Sequence, residues 1–140
     1  MNSKSLPHMT ISEARGYSPL ALAFVGDGVY ETFIRTKVLL KANTSANKLH
    51  KEAVRYVRAE AQSMVVRELM STLTEEEDSV FKRGRNAHSA TTPKHASVTD
   101  YRYATGFEAL LGYLYLTGQE ERLTLIMEQA YEVISAAKTI

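Results

Sequence analysis

The amino-acid sequence predicts an all-α fold, a helical bundle built as a single domain. Apolar residues recur at three- and four-residue spacings in several long segments, as they do along one face of a helix. No long stretch alternates between apolar and polar residues with the period of two that strands show. The length of 140 residues suits one domain rather than two, and the 44% hydrophobic and 24% charged content is typical of a globular chain.

The first long helix is predicted to begin at Ser18-Pro19 and to run to about Leu40. Ser18 supplies a capping hydroxyl, and Pro19 is well tolerated at the first helical position. Residues 1–17 are expected to form a weakly ordered lead-in with a short helical turn around 12–15. The domain is then expected to span residues 18–140.

Two further helices are predicted in the middle of the chain. Ser45 caps a second long helix that is expected to run to about Leu73, with an apolar stripe on one face. Thr74 and Glu77 have the spacing of a capping box, which predicts the start of a short third helix.

The last third of the chain is predicted to contain a loop and two more helices. Residues 82–97 are rich in Gly, Asn, Ser, Thr and Pro, which favours a long loop, with a short helix after Pro93. A fourth major helix is predicted over residues 98–116, ended by Gly118. A fifth is predicted over residues 120–138.

Composition excludes several classes of protein. The chain has no cysteine, so a disulfide framework, a zinc-finger-type site and thiolate catalysis are all excluded. The polar N-terminal segment has no apolar signal core, and no apolar run approaches the length of about 18 residues that a membrane helix requires. A cytoplasmic location is therefore expected. The net charge of +1 and the pI near 8.0 neither require nor exclude nucleic acid.

The distribution of charge is more informative than its sum. Residues 81–102 contain one acid, Asp100, and a set of bases: Lys82, Arg83, Arg85, Lys94 and Arg102. A basic segment of this kind is a candidate for contact with nucleic-acid phosphates. A solvated basic loop is the alternative interpretation.

Two carboxylates, Asp27 and Glu108, lie within otherwise apolar helical segments. Burying an unpaired ionised carboxylate is costly, so each is expected to be paired, protonated or bound to a cation. Two neighbouring carboxylates repel each other unless a cation lies between them, and Mg²⁺ prefers hard oxygen ligands. A salt-bridge or capping role is the alternative. Small residues that would let the two helices approach flank both acids: Gly26, Gly28, Gly106 and Ala109.

The two acidic segments together resemble the ribonuclease III family. Residues 22–29, LAFVGDGV, resemble the family signature with the core L-E-F-L-G-D-A-V. Residues 107–116, FEALLGYLYL, resemble its second acidic segment, and residues 83–86, RGRN, resemble a basic segment that often precedes it. The resemblance extends from about residue 18 to residue 135.

Two departures from the family pattern affect the expected site. Ala23 and Thr105 stand where the family usually has acids, so Asp27 and Glu108 are the two that remain of four acidic positions. The length leaves no room for the double-stranded-RNA-binding domain that commonly follows. A lone catalytic domain of the Mini-III type is therefore expected.

The resemblance implies a homodimeric, Mg²⁺-dependent endoribonuclease that cleaves double-stranded RNA and leaves 5′-phosphate ends. It implies that Asp27 and Glu108 are catalytic and hold the metal, for which Mn²⁺ can substitute. It further implies a role in maturing the precursor of the large-subunit (23S) ribosomal RNA, with a ribosomal protein as a potential partner that presents the substrate. The Asp27 helix would then lie at the dimer interface, with Phe24 buried against the partner.

Two other functions are considered. Because two family acids are missing, the chain could be a dimeric scaffold that binds double-stranded RNA with weak or no catalysis. A helical nucleotide pyrophosphohydrolase also uses carboxylates and Mg²⁺, but it usually needs paired glutamates at helical spacing. The acids at residues 75–78 are consecutive instead and lie at a predicted helix start, which disfavours this alternative.

Overall fold

The computed structural model describes residues 7–87 and 97–137, and within these ranges the chain is helical with no strand. This confirms the all-α prediction for the described part of the chain. A short 3₁₀ turn, Met70–Thr72, follows the fourth helix. The helices are α1 (Ile11–Arg15), α2 (Pro19–Lys41), α3 (Ala46–Val57), α4 (Ala59–Leu69), α5 (Glu75–Asn86), α6 (Val98–Leu116) and α7 (Glu120–Ala136). None of the described helices is long and apolar enough to cross a membrane.

Helix α6 is the centre of the bundle and packs against α2, α4 and α5. Its closest neighbour is α2, because two glycines remove the side chains that would keep the helices apart. A Cβ on Gly26 would overlap the backbone carbonyl of Glu108, and a Cβ on Gly112 would overlap that of Leu22. The predicted close approach of the two acidic segments is therefore confirmed.

Gly28 and Gly106, which the sequence analysis also proposed for this approach, have different roles. A Cβ on Gly28 would meet no atom within 4 Å, so Gly28 does not contribute to the contact between α2 and α6. Gly106 packs against Phe81 and so brings α5, rather than α2, close to α6.

The predicted N-terminal boundaries of α2, α3 and α5 are confirmed by their caps, and the Ser45 hydroxyl at the start of α3 accepts a hydrogen bond from the amide of Lys48. The Ser18 hydroxyl accepts a hydrogen bond from the amide of Ala21, and Pro19 opens α2. Thr74 and Glu77 form both halves of the capping box of α5. The turn predicted around residues 12–15 is α1, whose Ala14 is fully buried in the bundle.

The second long helix was predicted as continuous, and this is wrong. Arg58 has an extended backbone (φ −67°, ψ 154°), which ends α3 at Val57 and makes Arg58 the N-cap of α4. The buried side chain of Gln62 donates to the carbonyl of Val57 at the break. α4 then ends at Leu69, and the 3₁₀ turn completes the segment.

The prediction of a loop from residue 82 is wrong for its first five residues. Residues 82–86 belong to α5, so Lys82, Arg83 and Arg85 lie on a helix. Gly84, which suggested a turn, is buried where α5 crosses α6, and a Cβ there would lie 2.8 Å from that of Ala109. Residues 88–96, with Lys94 and the helix expected after Pro93, lie outside the described residues.

Candidate active site

Asp27 and Glu108 lie close to each other where α2 crosses α6. The contact of Gly26 with the backbone of Glu108 puts the residues that carry these two carboxylates at the crossing point of the helices. The negative charge of Asp27, which lies close to Glu108, raises the pKa of the Glu108 carboxyl group. The structure therefore brings together the two acids that the sequence singled out.

The two carboxylates differ in their exposure to solvent. Asp27 is exposed, so the expectation that both acids are buried is wrong for Asp27. Glu108 is half-buried, and burial, followed by the charge of Asp27, raises its pKa to about 8. Both effects oppose a negative charge on Glu108, and a cation between the carboxylates would reverse the second.

Gln62 is a third member of this cluster that the sequence analysis missed. Its side-chain Nε2 donates to Oε2 of Glu108 at 3.1 Å and to the carbonyl of Val57 at 2.8 Å. The residue is 1% exposed, and its Oε1 has no hydrogen-bond partner among the described residues. The only sequence signal is a neutral polar residue on the apolar face of α4, which does not identify its partner.

Glu31 is a fourth member and was also missed. It follows Asp27 by one helical turn, and its charge adds to the effects that raise the pKa of Glu108. Arg35, another turn along α2, donates to Glu31 through Nε at 3.0 Å. The spacing of four residues from Asp27 could have identified Glu31, since residues at this spacing share a helix face.

Comparison with known proteins gives a family match over the segment that contains these residues. Residues 20–119 match the Ribonuclease III domain. The chain belongs to the ribonuclease III family. This ribonuclease III domain includes both acidic segments and helices α2 to α6.

Relatives of known name refine the position within the ribonuclease III family. The chain is 56% identical over 117 residues to Mini-ribonuclease 3 of Thermoanaerobacter sp. (strain X514), covering 84% of this chain and 82% of the relative. It is 52% identical over 120 residues to Mini-ribonuclease 3 of Clostridium tetani, covering 85% and 80%. The chain is therefore of the Mini-III type of ribonuclease III.

A solved structure has the same fold. A crystal structure of a protein from Fusobacterium nucleatum superposes with a TM-score of 0.78 and 33% sequence identity. The match covers 85% of this chain and 95% of that protein.

The ribonuclease III site has few acidic side chains. Ala23 and Thr105, which replace family acids, are both buried, and the Thr105 hydroxyl donates to the carbonyl of Tyr101 at 2.9 Å. In the described part of the chain, no group of three or more His, Cys, Asp or Glu side chains has a geometry that could hold a metal. Two carboxylates nevertheless fit Mg²⁺, which keeps several waters and is usually bound through one or two carboxylates and substrate phosphates.

The predicted RNA-contact residues that the structure describes lie on α5 and α6. Lys82 is ion-paired with Asp78 at 2.9 Å, Arg83 is half-buried, and Arg102 is exposed on α6. The guanidinium of Arg85 lies 5.7 Å from the ring centre of Phe81. Lys94 lies outside the described residues, so its position stays a prediction.

Arg67 on α4 is a basic residue of this surface that the sequence analysis did not identify as an RNA contact. Its guanidinium lies 4.1 Å from the ring centre of Tyr103, and that of Arg85 lies 5.9 Å from the same centre. Neither arginine forms an ion pair with any described residue. Two arginines from α4 and α5 thus share one tyrosine on α6.

Proposed function

We propose that this chain is a Mg²⁺-dependent endoribonuclease that cleaves double-stranded RNA. The observation that carries the proposal is the contact between Asp27 and Glu108 at the crossing of α2 and α6. These helices carry the two acidic segments of the ribonuclease III domain to which the chain belongs. The named relatives are Mini-ribonuclease 3 proteins, which supports the same activity for this chain.

The side chains suit the hydrolysis of a phosphodiester. Asp27 and Glu108 would hold Mg²⁺, which when bound supplies an activated water and neutralises charge on the leaving oxygen. Asp27 is exposed, which leaves one side of the pair open to a phosphate of the RNA. Hydrolysis that breaks the bond to the 3′ oxygen gives 5′-phosphate and 3′-hydroxyl ends. Mn²⁺, which also prefers oxygen ligands, should substitute.

The surface around the site suits a duplex. Double-stranded RNA is recognised mainly through its shape, its phosphates and its 2′-hydroxyls rather than its base edges. Arg85 and Arg67, which are not ion-paired with described residues, can each take a phosphate. We propose that they act together with the other bases that the sequence indicated: Lys82, Arg83, Lys94 and Arg102.

A homodimer is part of the proposal. Phe24 on α2 is 83% exposed, and Tyr17, seven residues earlier in the chain, is also exposed. Large apolar side chains that are exposed to water often mark an interface with another protein. A largely apolar groove is lined by Val29, Leu123 and Met127 and includes Val25, the residue that follows Phe24 on α2. A two-fold dimer that buries Phe24 would place one catalytic site opposite each strand of the duplex.

The cellular substrate proposed for this enzyme is the precursor of large-subunit (23S) ribosomal RNA, processed in the cytoplasm. A ribosomal protein that presents the substrate is proposed as a partner. Both proposals follow from the Mini-III type alone.

The test is cleavage of matched RNA substrates. A long double-stranded RNA, each of its single strands and the corresponding DNA duplex would be incubated with the protein in Mg²⁺, in Mn²⁺ and in EDTA. We expect cleavage of the RNA duplex alone, in either metal and not in EDTA, with products that a 5′-phosphate-dependent exonuclease degrades. Binding of the duplex without cleavage in either metal would favour the alternative, a dimeric RNA-binding scaffold.

A further inference from the structure

A single buried amide joins the break between α3 and α4 to the candidate catalytic carboxylate. Nε2 of Gln62 has two hydrogens, and both are used: one bonds the carbonyl of Val57 and the other bonds Oε2 of Glu108. The three residues come from the end of α3, the first turns of α4 and the middle of α6. The bond to the Val57 carbonyl therefore fixes the orientation of this amide, and the second hydrogen of the amide is directed at Glu108.

The break at Arg58 is what makes this arrangement available. Because the backbone of Arg58 is extended, α3 ends at Val57, and the Val57 carbonyl does not accept the backbone hydrogen bond that it would accept inside a regular helix. Gln62, five residues later, provides the missing donor with its side chain. In an uninterrupted helix the Val57 carbonyl would instead be bonded by a backbone amide.

An amide suits a metal-binding carboxylate better than a basic side chain. Lysine or arginine at position 62 would pair with Glu108, and its positive charge would compete with a cation. A neutral donor fixes the carboxylate and leaves its negative charge for the ion. The donor also occupies Oε2, so that Oε1 of Glu108 is the oxygen left without this partner.

The unsatisfied atom of Gln62 indicates that packing alone does not explain the residue. Its Oε1 is buried without a hydrogen-bond partner among the described residues, an arrangement that is unfavourable relative to an apolar side chain. A buried polar residue that is only partly satisfied is more readily explained by its contact with the site than by a contribution to folding.

We propose that Gln62 is a positioning residue, which holds the carboxylate of Glu108 in the orientation in which Glu108 and Asp27 bind one divalent cation. This inference rests on the proposed function, because the cation is the one that the nuclease would use. Groups that orient metal ligands in this way typically change metal affinity or activity about 10- to 100-fold when they are removed.

Direct Mn²⁺ binding in the absence of RNA tests the inference. Free Mn²⁺ would be measured by electron paramagnetic resonance for the wild type, for Gln62→Met and for Thr72→Val. Methionine keeps the length and approximate volume of glutamine but has no amide. Thr72→Val is the matched control, since it also removes a side-chain bond to a backbone carbonyl, that of Leu69 at the other end of α4.

We expect Gln62→Met to weaken Mn²⁺ binding about 10-fold or more. Thr72→Val should bind Mn²⁺ as the wild type does. Duplex RNA binding in EDTA should be unchanged in both variants, and both should unfold without metal in a single cooperative transition, as the wild type does. Mn²⁺ binding by Gln62→Met at the wild-type level would overturn the inference while leaving the proposed nuclease intact. Absence of Mn²⁺ binding by the wild type would overturn the proposed function first.

A second measurement uses the wild type and does not depend on the folding of a variant. The side-chain amide of Gln62 gives its own pair of resonances in a nitrogen–proton NMR spectrum. Mg²⁺ should shift this pair, because its acceptor Glu108 would be a ligand, and should leave the side-chain amide of Gln119 unmoved. A Gln62 pair that does not respond to saturating Mg²⁺ would contradict the proposal.

Discussion

Gly26 lies against the backbone carbonyl of Glu108, so closely that a Cβ at position 26 would overlap it. The next residue along α2 is Asp27, and the side chain of Glu108 projects from the same point of α6. The helix contact that builds the core is thus also the contact that pairs the two acids. Folding and the proposed chemistry depend on the same few atoms.

Gly26→Ala should therefore destabilise the protein strongly. Its methyl group would meet rigid backbone rather than the end of a flexible side chain, and overpacking of this kind typically costs about 1–3 kcal/mol or more. The free energy of unfolding in urea would measure the effect. Gly28→Ala is the control, because a Cβ there meets nothing within 4 Å. Equal stability of the two variants would contradict the close helix contact.

The stability of the metal-free protein should fall as the pH rises from about 4.5 towards 8. The pKa of Glu108 is raised by burial and by Asp27 from its ordinary 4.5 to about 8 in the folded protein. Below 4.5 the folded and unfolded states both hold the proton, whereas between the two values only the folded state keeps it. The stabilisation is thus complete below the unfolded-state pKa and is lost as the pH passes the folded-state pKa.

Thermal midpoints in EDTA across this pH range would measure the effect. Glu108→Gln, which cannot titrate, should show a smaller decrease between pH 4.5 and 8, and Mg²⁺ should protect the wild type most at the upper end of the range. Identical pH profiles for the wild type and Glu108→Gln would show that the pKa of Glu108 is not raised.

Removing both Arg67 and Arg85 should weaken duplex RNA binding at low salt. Each phosphate contact that is lost should reduce the slope of log affinity against log salt concentration by roughly 1. Fluorescence anisotropy in Ca²⁺ or EDTA, so that the RNA is not cut, would give the slope. Lys41→Ala at the far end of α2 is the single-charge control. A slope unchanged from that of the wild type would exclude these arginines from the interface.

Phe24→Ser should convert the proposed dimer into monomers. Because the Phe24 side chain is 83% exposed in the single chain, the substitution should remove few contacts within the protomer. Sedimentation velocity at micromolar concentration would report the change. Leu40→Ser removes another apolar side chain, 79% exposed, from the end of the same helix and should leave the dimer intact. A wild type that sediments as a monomer would contradict the dimer itself.

Local sequence signals predicted most of the helices and both acids, and they failed where distant contacts decide the structure. Caps at Ser18 and Thr74 are visible because all their partners lie within three residues. Gly84 was predicted to lie in a turn, but it is needed for the close contact of α5 with α6. The residues of α6 that it contacts lie more than twenty positions away in the sequence, so no local signal shows this role.

The break at Arg58 and the role of Gln62 are the clearest examples. The apolar period continues across residue 58, and arginine is not a residue that usually ends a helix. Gln62 bonds a residue 46 positions away, and no spacing in the sequence reveals such a pair. Glu31, in contrast, could have been predicted from the sequence, because it lies four residues after Asp27 and so shares a helix face with it.

Single-turnover cleavage of an end-labelled RNA duplex by the wild type, Asp27→Asn, Glu108→Gln and the double variant tests the central claim most directly. If both carboxylates hold one cation, each single variant should lose activity on the order of 100-fold or more, and the double variant should be little worse than either. All four should still bind the duplex. Cleavage near the wild-type rate by either single variant would show that the metal is held elsewhere.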